Sequence, residues 1–356
     1  MAVRISVGCG VTIPVSRRPA RAFAAALVAV GAAALPAPAR SIAAAGPGAA
    51  AHPVTVLRPG RRPEPVIADP ARHRVYVGTE TGGSVAVVDD RSNRIVKIIP
   101  VGREVEDLTL DPAGRRLYAV SSVVSALTVI DTRTLRVVAG ARNLKDASGV
   151  ALDPARQRLY VTEPSANAVA VLDAGSTRLV ATIKLAGQPL GIGIDTGLHR
   201  VFVGLNRLHR VAVIGESSNT LLGSVEVGDR PVHPFRVDPS THRLYVVNSG
   251  SSTLSIVDTR ALRVTRTLRT GRNPEGLALA PPDERAYVSN EGDPGTDRNS
   301  GFSASVIDLR TGKIIDTLAT PRGPDGIAYD AATGNIYVSV EDSGQAVVIR
   351  LPPSDR

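Results

Sequence analysis

The chain has 356 residues, 43% of them hydrophobic, and 42 Lys and Arg against 33 Asp and Glu give it a net charge of +9. This apolar content supplies a real core and excludes global disorder. A single Cys excludes an intrachain disulfide or thiolate cluster, and the absence of Trp, with four Phe and seven Tyr, leaves few rings to stack on bases or sugars.

The chain opens on a leader. Arg4, Arg17, Arg18 and Arg21 precede an apolar run from Ala22 to Leu35, then Pro36–Ser41 and an Ala/Gly stretch to Ala51, and the first acidic residue is Glu64. A basic segment, a short apolar segment and small-residue sites are the parts of a secretory signal peptide, expected to end after Ala39, Ala45 or Ala51. The apolar run is shorter than the roughly 20 residues a spanning helix needs. Cleavage at either later site removes five arginines, Arg40 included, and no acid, so +9 becomes +4. It also removes Cys9 and Met1, leaving a chain without sulfur, suited to an oxidising, non-cytosolic compartment. Residues 1–51 are therefore read as leader and residues 52–356 as one domain.

The domain is a repeat. Aromatics stand at Tyr76, Tyr118, Tyr160, Phe202, Tyr245, Tyr287 and Tyr337, separated by 42, 42, 42, 43, 42 and 50 residues. A first Asp precedes most of them (Asp69, Asp111, Asp153, Asp195, Asp238, Asp330) and a second follows most (Asp89, Asp131, Asp173, Asp258, Asp308). A period near 42 residues fits a propeller blade or a two-helix repeat. Local pattern chooses the blade. Copy three holds four β-branched runs, at Gly149–Leu152, Arg158–Val161, Ala168–Leu172 and Leu179–Ile183, with turns at Asp153-Pro154 and Asp173-Ala174-Gly175. Four strands in each of seven copies predict an all-β, seven-bladed β-propeller. Copy seven stops after three strands, and its missing outer strand stands at the start as Val54-Thr55-Val56-Leu57, so residues 54–57 are expected to close the last blade.

Tyr245-Val246-Val247-Asn248 and Tyr287-Val288-Ser289-Asn290, with Pro274-Glu275-Gly276-Leu277-Ala278 and Val257-Asp258-Thr259-Arg260, resemble the repeats of the YVTN, or YncE-like, β-propellers. The resemblance covers about residues 54–351. It departs at the signature Asn, which is Thr79, Ser121, Glu163, Leu205 and Val340 in the other copies. It implies a seven-bladed propeller and a secreted or periplasmic location. It implies no single activity, since related propellers bind ligands, sit in surface layers or act as lyases or lactonases.

Reading residues by repeat position predicts two faces of opposite charge. The position leading into each first strand holds Glu64, Glu106, Ser148, Leu190, His233, Glu275 and Asp325, at the mouth of the central channel. The loop after the second strand adds Glu80, Glu163, Glu291, Glu341 and Asp342. Crowded carboxylates raise one another's pKa or recruit a cation, and oxygen ligands favour Ca²⁺ or Mg²⁺, with Glu64, Glu106, Glu275 and Asp325 as candidate ligands. A solvated acidic rim is the alternative. The other face carries Arg74, Arg116, Arg158, Arg200, Arg243 and Arg285, one per copy. Such a ring can bind nucleic acid or another anionic polymer. The alternative is an ion pair between each Arg and the repeat Asp five residues before it.

Copy six is longer by a loop in which Glu291, Asp293, Asp297 and Asn299 could ligate Ca²⁺, although in no EF-hand order. Hydrolase, zinc-protease and phosphate-loop motifs are absent. His233 is the one His at the mouth, and with Glu275 it offers a base for a metal-assisted lyase or lactonase. The expectation is a monomeric, exported binding or interaction module whose partner is a small ligand or protein, without a membrane span in the mature chain. The lyase and the anionic-polymer binder stand as alternatives.

Overall fold

The computed structural model describes residue 52 and residues 54–111, 113, 115–232, 234–280, 283–292 and 302–351. The leader and its cleavage sites, His233, and Asp293, Asp297 and Asn299 of the copy-six loop lie outside the described residues.

Seven antiparallel sheets of four strands each follow the seven copies, so the chain is a seven-bladed β-propeller. Six blades take their strands in chain order from the inside out. The seventh combines Pro324–Asp330, Asn335–Val340 and Gln345–Arg350 with the first strand of the chain, Val54–Leu57. That strand pairs Val54 with Ile349 and Leu57 with Ala346, which closes the ring where expected. The described residues contain no helix long and apolar enough to cross a membrane.

The strand patterns state their places. Second and third strands, such as Arg158–Glu163 and Ala168–Asp173, are buried almost throughout and are near-continuous apolar runs. Outer strands such as Arg263–Arg269 alternate between exposed and covered, as a half-solvated strand does. The core consists of seven clusters, one at each blade junction. Tyr76 packs with Leu108, Leu117 and Ala119 of the next blade, and Tyr337 packs with Val66, Val75 and Val77 across the closure. The aromatic series is thus the set of wedges between blades.

The two repeat Asp residues do different work. Oδ1 of Asp131 accepts from Arg133 N at 3.0 Å and Thr134 N at 2.6 Å, and Asp258 and Asp308 cap their turns likewise. These bonds favour the ionised form and hold each of these carboxyls below its usual range. Of the first series Asp69, Asp153, Asp195 and Asp330 are buried: Asp195 accepts from Thr259 Oγ1 at 2.5 Å and contacts His242 Nδ1 at 2.9 Å, both in the next blade.

Inner strands approach closely only where the sequence permits. A Cβ on Gly276 or Gly326 would collide with Asp325 O or Glu64 O of the following inner strand. Ser289 Oγ donates to that Asp325 carbonyl, and Ser339 Oγ donates to Glu64 O at 2.6 Å. Blades 6, 7 and 1 are thereby drawn together at the lead-in ends of their inner strands, Pro274–Ala280, Pro324–Asp330 and Pro63–Asp69.

Candidate functional site

The turn leading into each inner strand places a residue in the left-handed region: Arg62, Glu104, Asp146, Gln188, Arg230, Asn273 and Gly323. In most blades its carbonyl accepts from the first residue of the loop after the second strand. Glu80 N donates to Arg62 O at 2.8 Å, Glu291 N to Asn273 O at 2.9 Å, and Glu341 N to Gly323 O at 2.8 Å. One repeated hydrogen bond therefore sets Glu80, Glu291 and Glu341 beside the inner-strand residues Glu64, Glu275 and Asp325.

The result is an acidic sector rather than an acidic ring. Carboxylate oxygens of Glu291, Asp325 and Glu341 lie within 4.8 Å of one another, and so do those of Glu64, Glu80 and Glu341. Glu341 belongs to both triads. All five come from blades 6, 7 and 1, where the glycines bring the inner strands together. Burial and like-charge neighbours push the carboxyl of Glu64 up to about 10, of Glu275 to about 9 and of Asp325 to about 8. Burial first, then Glu341 and Asp342, also raises Glu291.

The other mouth residues stand apart. Glu106 takes a hydrogen bond from Ser122 Oγ at 2.6 Å and belongs to neither triad, so the four carboxylates expected as one ligand set do not form one. Glu163 is not a rim residue at all. It ends its strand one position earlier than Glu80, Glu291 and Glu341, is buried, and accepts from Lys145 N at 2.8 Å. It occupies the place of the signature Asn, where Asn248 and Asn290 tie the second strand to the third: Nδ2 of each donates to Ser255 Oγ at 2.9 Å and to Ser305 Oγ at 3.0 Å, respectively. Ser148 is buried and Leu190 contributes no charge.

The mouth face is also not purely acidic. Arg62 contacts Glu80 Oε2 at 2.6 Å and pairs with Glu341, so a guanidinium occupies the triad of Glu64, Glu80 and Glu341. Arg322 pairs with Asp342 at 3.0 Å. Arg61, Arg103, Arg272 and Arg322 are exposed in the same turns. Charge separation between faces is thus incomplete, because an Arg three residues ahead of each inner-strand acid shares its turn. The sequence shows these arginines plainly. What it lacks is the left-handed turn that folds Arg62 back over the acids. In the triad of Glu291, Asp325 and Glu341, Glu291 Oε2 accepts from Asn273 Nδ2 at 2.7 Å, and Glu341 shares its pair with Arg62.

On the opposite face the arginine set is largely engaged within the fold. Arg74 pairs with Asp89 at 2.7 Å and Arg158 with Asp173 at 3.1 Å, each directly across the strand register. Arg116 Nη1 donates to Ala174 O at 3.0 Å, and Arg200 Nη1 to Thr259 O at 2.6 Å, both in the next blade. Arg243 and Arg285 stand opposite Asp258 and Asp308 in the same register. Arg74 and Arg158 thus pair with the second repeat Asp and not with the first.

Fold and mouth together define a seven-bladed β-propeller with a sector of crowded carboxylates at one end of its channel. No protein-family model and no curated protein matches the chain. Solved structures are similar to it. The β-propeller domain of Cps50 (Swd1) from Myceliophteria thermophila gives a TM-score of 0.72 at 11% identity, covering 84% of this chain and 98% of that one. Hydrazine synthase from Kuenenia stuttgartiensis gives 0.67 at 18% identity, covering 82% and 96%. At these identities the likeness is one of fold.

Proposed function

We propose that this protein is an exported propeller of the YVTN-repeat type, acting as a binding or interaction module that takes a divalent cation at the acidic sector of its channel mouth. The observation that carries the reading is the triad Glu291, Asp325 and Glu341, three carboxylates converging within 4.8 Å from two adjacent blades. Hard oxygen donors in this number suit Ca²⁺ or Mg²⁺, with water or a ligand's oxygens completing the shell. Glu275 and Glu64 flank the triad and add charge without being required as ligands. Because Asp325 is pushed up to about 8, the ion must displace protons, so affinity rises with pH. The apolar leader and the sulfur-free mature chain support export, and the signature asparagines Asn248 and Asn290 support the family.

The test is a crystal of the mature chain soaked in Mn²⁺ at pH 8. The expected result is an anomalous peak between Glu291, Asp325 and Glu341 that is absent from Asp325→Asn/Glu341→Gln crystals. A mouth without a peak, its carboxylates turned to bulk solvent, would refute the cation site.

A further inference from the structure

Farther along the channel the chemistry reverses. Between the inner strands of blades 1, 5, 6 and 7 lies a cavity of about 400 Å³, within the size range of small-molecule pockets. Its walls include Val66, Ala68, Leu279, Ala328 and Tyr329, and a single basic side chain, Arg236, reaches into it from blade 5. Counted back from the repeat Asp, the other blades place Ile67, Thr109, Ala151, Gly193, Ala278 and Ala328 at this position. A propeller blade evidently needs no charge there.

Among the described residues the charge forms no ion pair shorter than 4 Å, although Asp107 acts on it at longer range. The Arg236 guanidinium donates one hydrogen bond, from Nη1 to Phe235 O at 3.3 Å. The carboxylate that acts on it, Asp107, already accepts from Leu108 N at 2.8 Å and Val150 N at 3.0 Å. Asp238, also in the wall, accepts from Ser240 Oγ at 2.6 Å and Thr241 Oγ1 at 2.7 Å. A half-buried guanidinium between apolar walls gains by pairing with an anion, and it takes a carboxylate by two parallel hydrogen bonds. The cavity reaches the turn at Asp238 and Pro239, on the face that carries Arg74 and its repeats. The acidic sector stands at the other end of the channel and disfavours the entry of an anion there.

We propose that this half of the channel is a binding site for a small organic acid, a monocarboxylate with a compact apolar body, gripped by Arg236 and seated against Ala68, Leu279 and Tyr329. The site is independent of the cation at the mouth.

Calorimetric titration of the mature protein with benzoate tests it, with acetate as the charge without the body and benzyl alcohol as the body without the charge. Benzoate is expected to bind at one per chain and both controls at least about tenfold more weakly. Arg236→Met should weaken benzoate on the order of ten- to a hundred-fold, the worth of a charge-assisted pair. Ala68→Phe should block the cavity from the facing wall with Arg236 intact, and it carries the test if Arg236→Met does not fold. Asp325→Asn/Glu341→Gln should leave benzoate binding unchanged. Absence of benzoate binding at millimolar concentration overturns the proposal, as does undiminished binding to folded Arg236→Met or to Ala68→Phe.

Discussion

Tyr76 is fully buried, and its hydroxyl has no hydrogen-bond partner among the described residues. Its contribution therefore lies in the ring, which fills the junction between blades 1 and 2. Tyr76→Ala should cost about 3–5 kcal/mol of stability, while Tyr76→Phe should be neutral or slightly stabilising, because it removes an unsatisfied hydroxyl and keeps the volume. Chemical denaturation of the three proteins reads the difference; equal losses for both variants would mean that the hydroxyl and not the ring does the work. At this scale the sequence is informative where a residue type recurs in register, as the seven aromatics do. It misleads where one blade shifts by one residue. Glu163 looks like a rim acid, yet the strand pleat turns it inward to Lys145 N. Arg236 and Asp107 are singular in the repeat, and a search for recurring positions passes over single departures.

The element with the largest structural consequence is the first strand, Val54–Leu57. It donates only four residues, yet it covers the otherwise open edge of blade 7 and joins the two ends of the chain. Deleting residues 52–58 should lower the melting temperature markedly, by differential scanning calorimetry, and an unchanged melt would contradict the closure. This strand was legible because its β-branched pattern matches the outer strands of the fifth and sixth copies. The inner strand of blade 5 was not legible in the same way. It contracts to Arg236–Asp238, with Pro234, which has no backbone donor, ahead of it. Phe235, at the position that Val66, Leu108 and Leu277 hold in other blades, is buried beside Gly191 and Gly204.

Across the whole molecule, the fold and its closure follow from repeat spacing, whereas the site depends on which blades touch. Seven mouth positions read as one ring in the sequence. Gly276 and Gly326 let three blades press together, and among the described mouth residues the acids converge into triads there. That convergence has a pH signature. Glu64, Glu275 and Asp325 have folded-state values near 10, 9 and 8, well above an unfolded carboxyl near 4, so the folded protein holds protons that the unfolded chain has released. Their contribution to stability is complete below about pH 4 and is lost as pH rises through the folded-state values. Glu216, raised to about 7 mainly by burial at the junction of blades 3 and 4, acts with the same sign over a lower range. A cation in the sector compensates the charge that appears, and it stabilises only to the extent that it binds the folded state.

The most direct test is thermal melting of the mature protein between pH 5 and 9, in chelator and in Ca²⁺. The melting temperature should fall with pH in chelator, Ca²⁺ should restore it more at pH 8.5 than at pH 6, and Asp325→Asn/Glu341→Gln should remove the Ca²⁺ effect. A Ca²⁺ response that is absent, independent of pH or retained in that variant would contradict the acidic sector as a cation site.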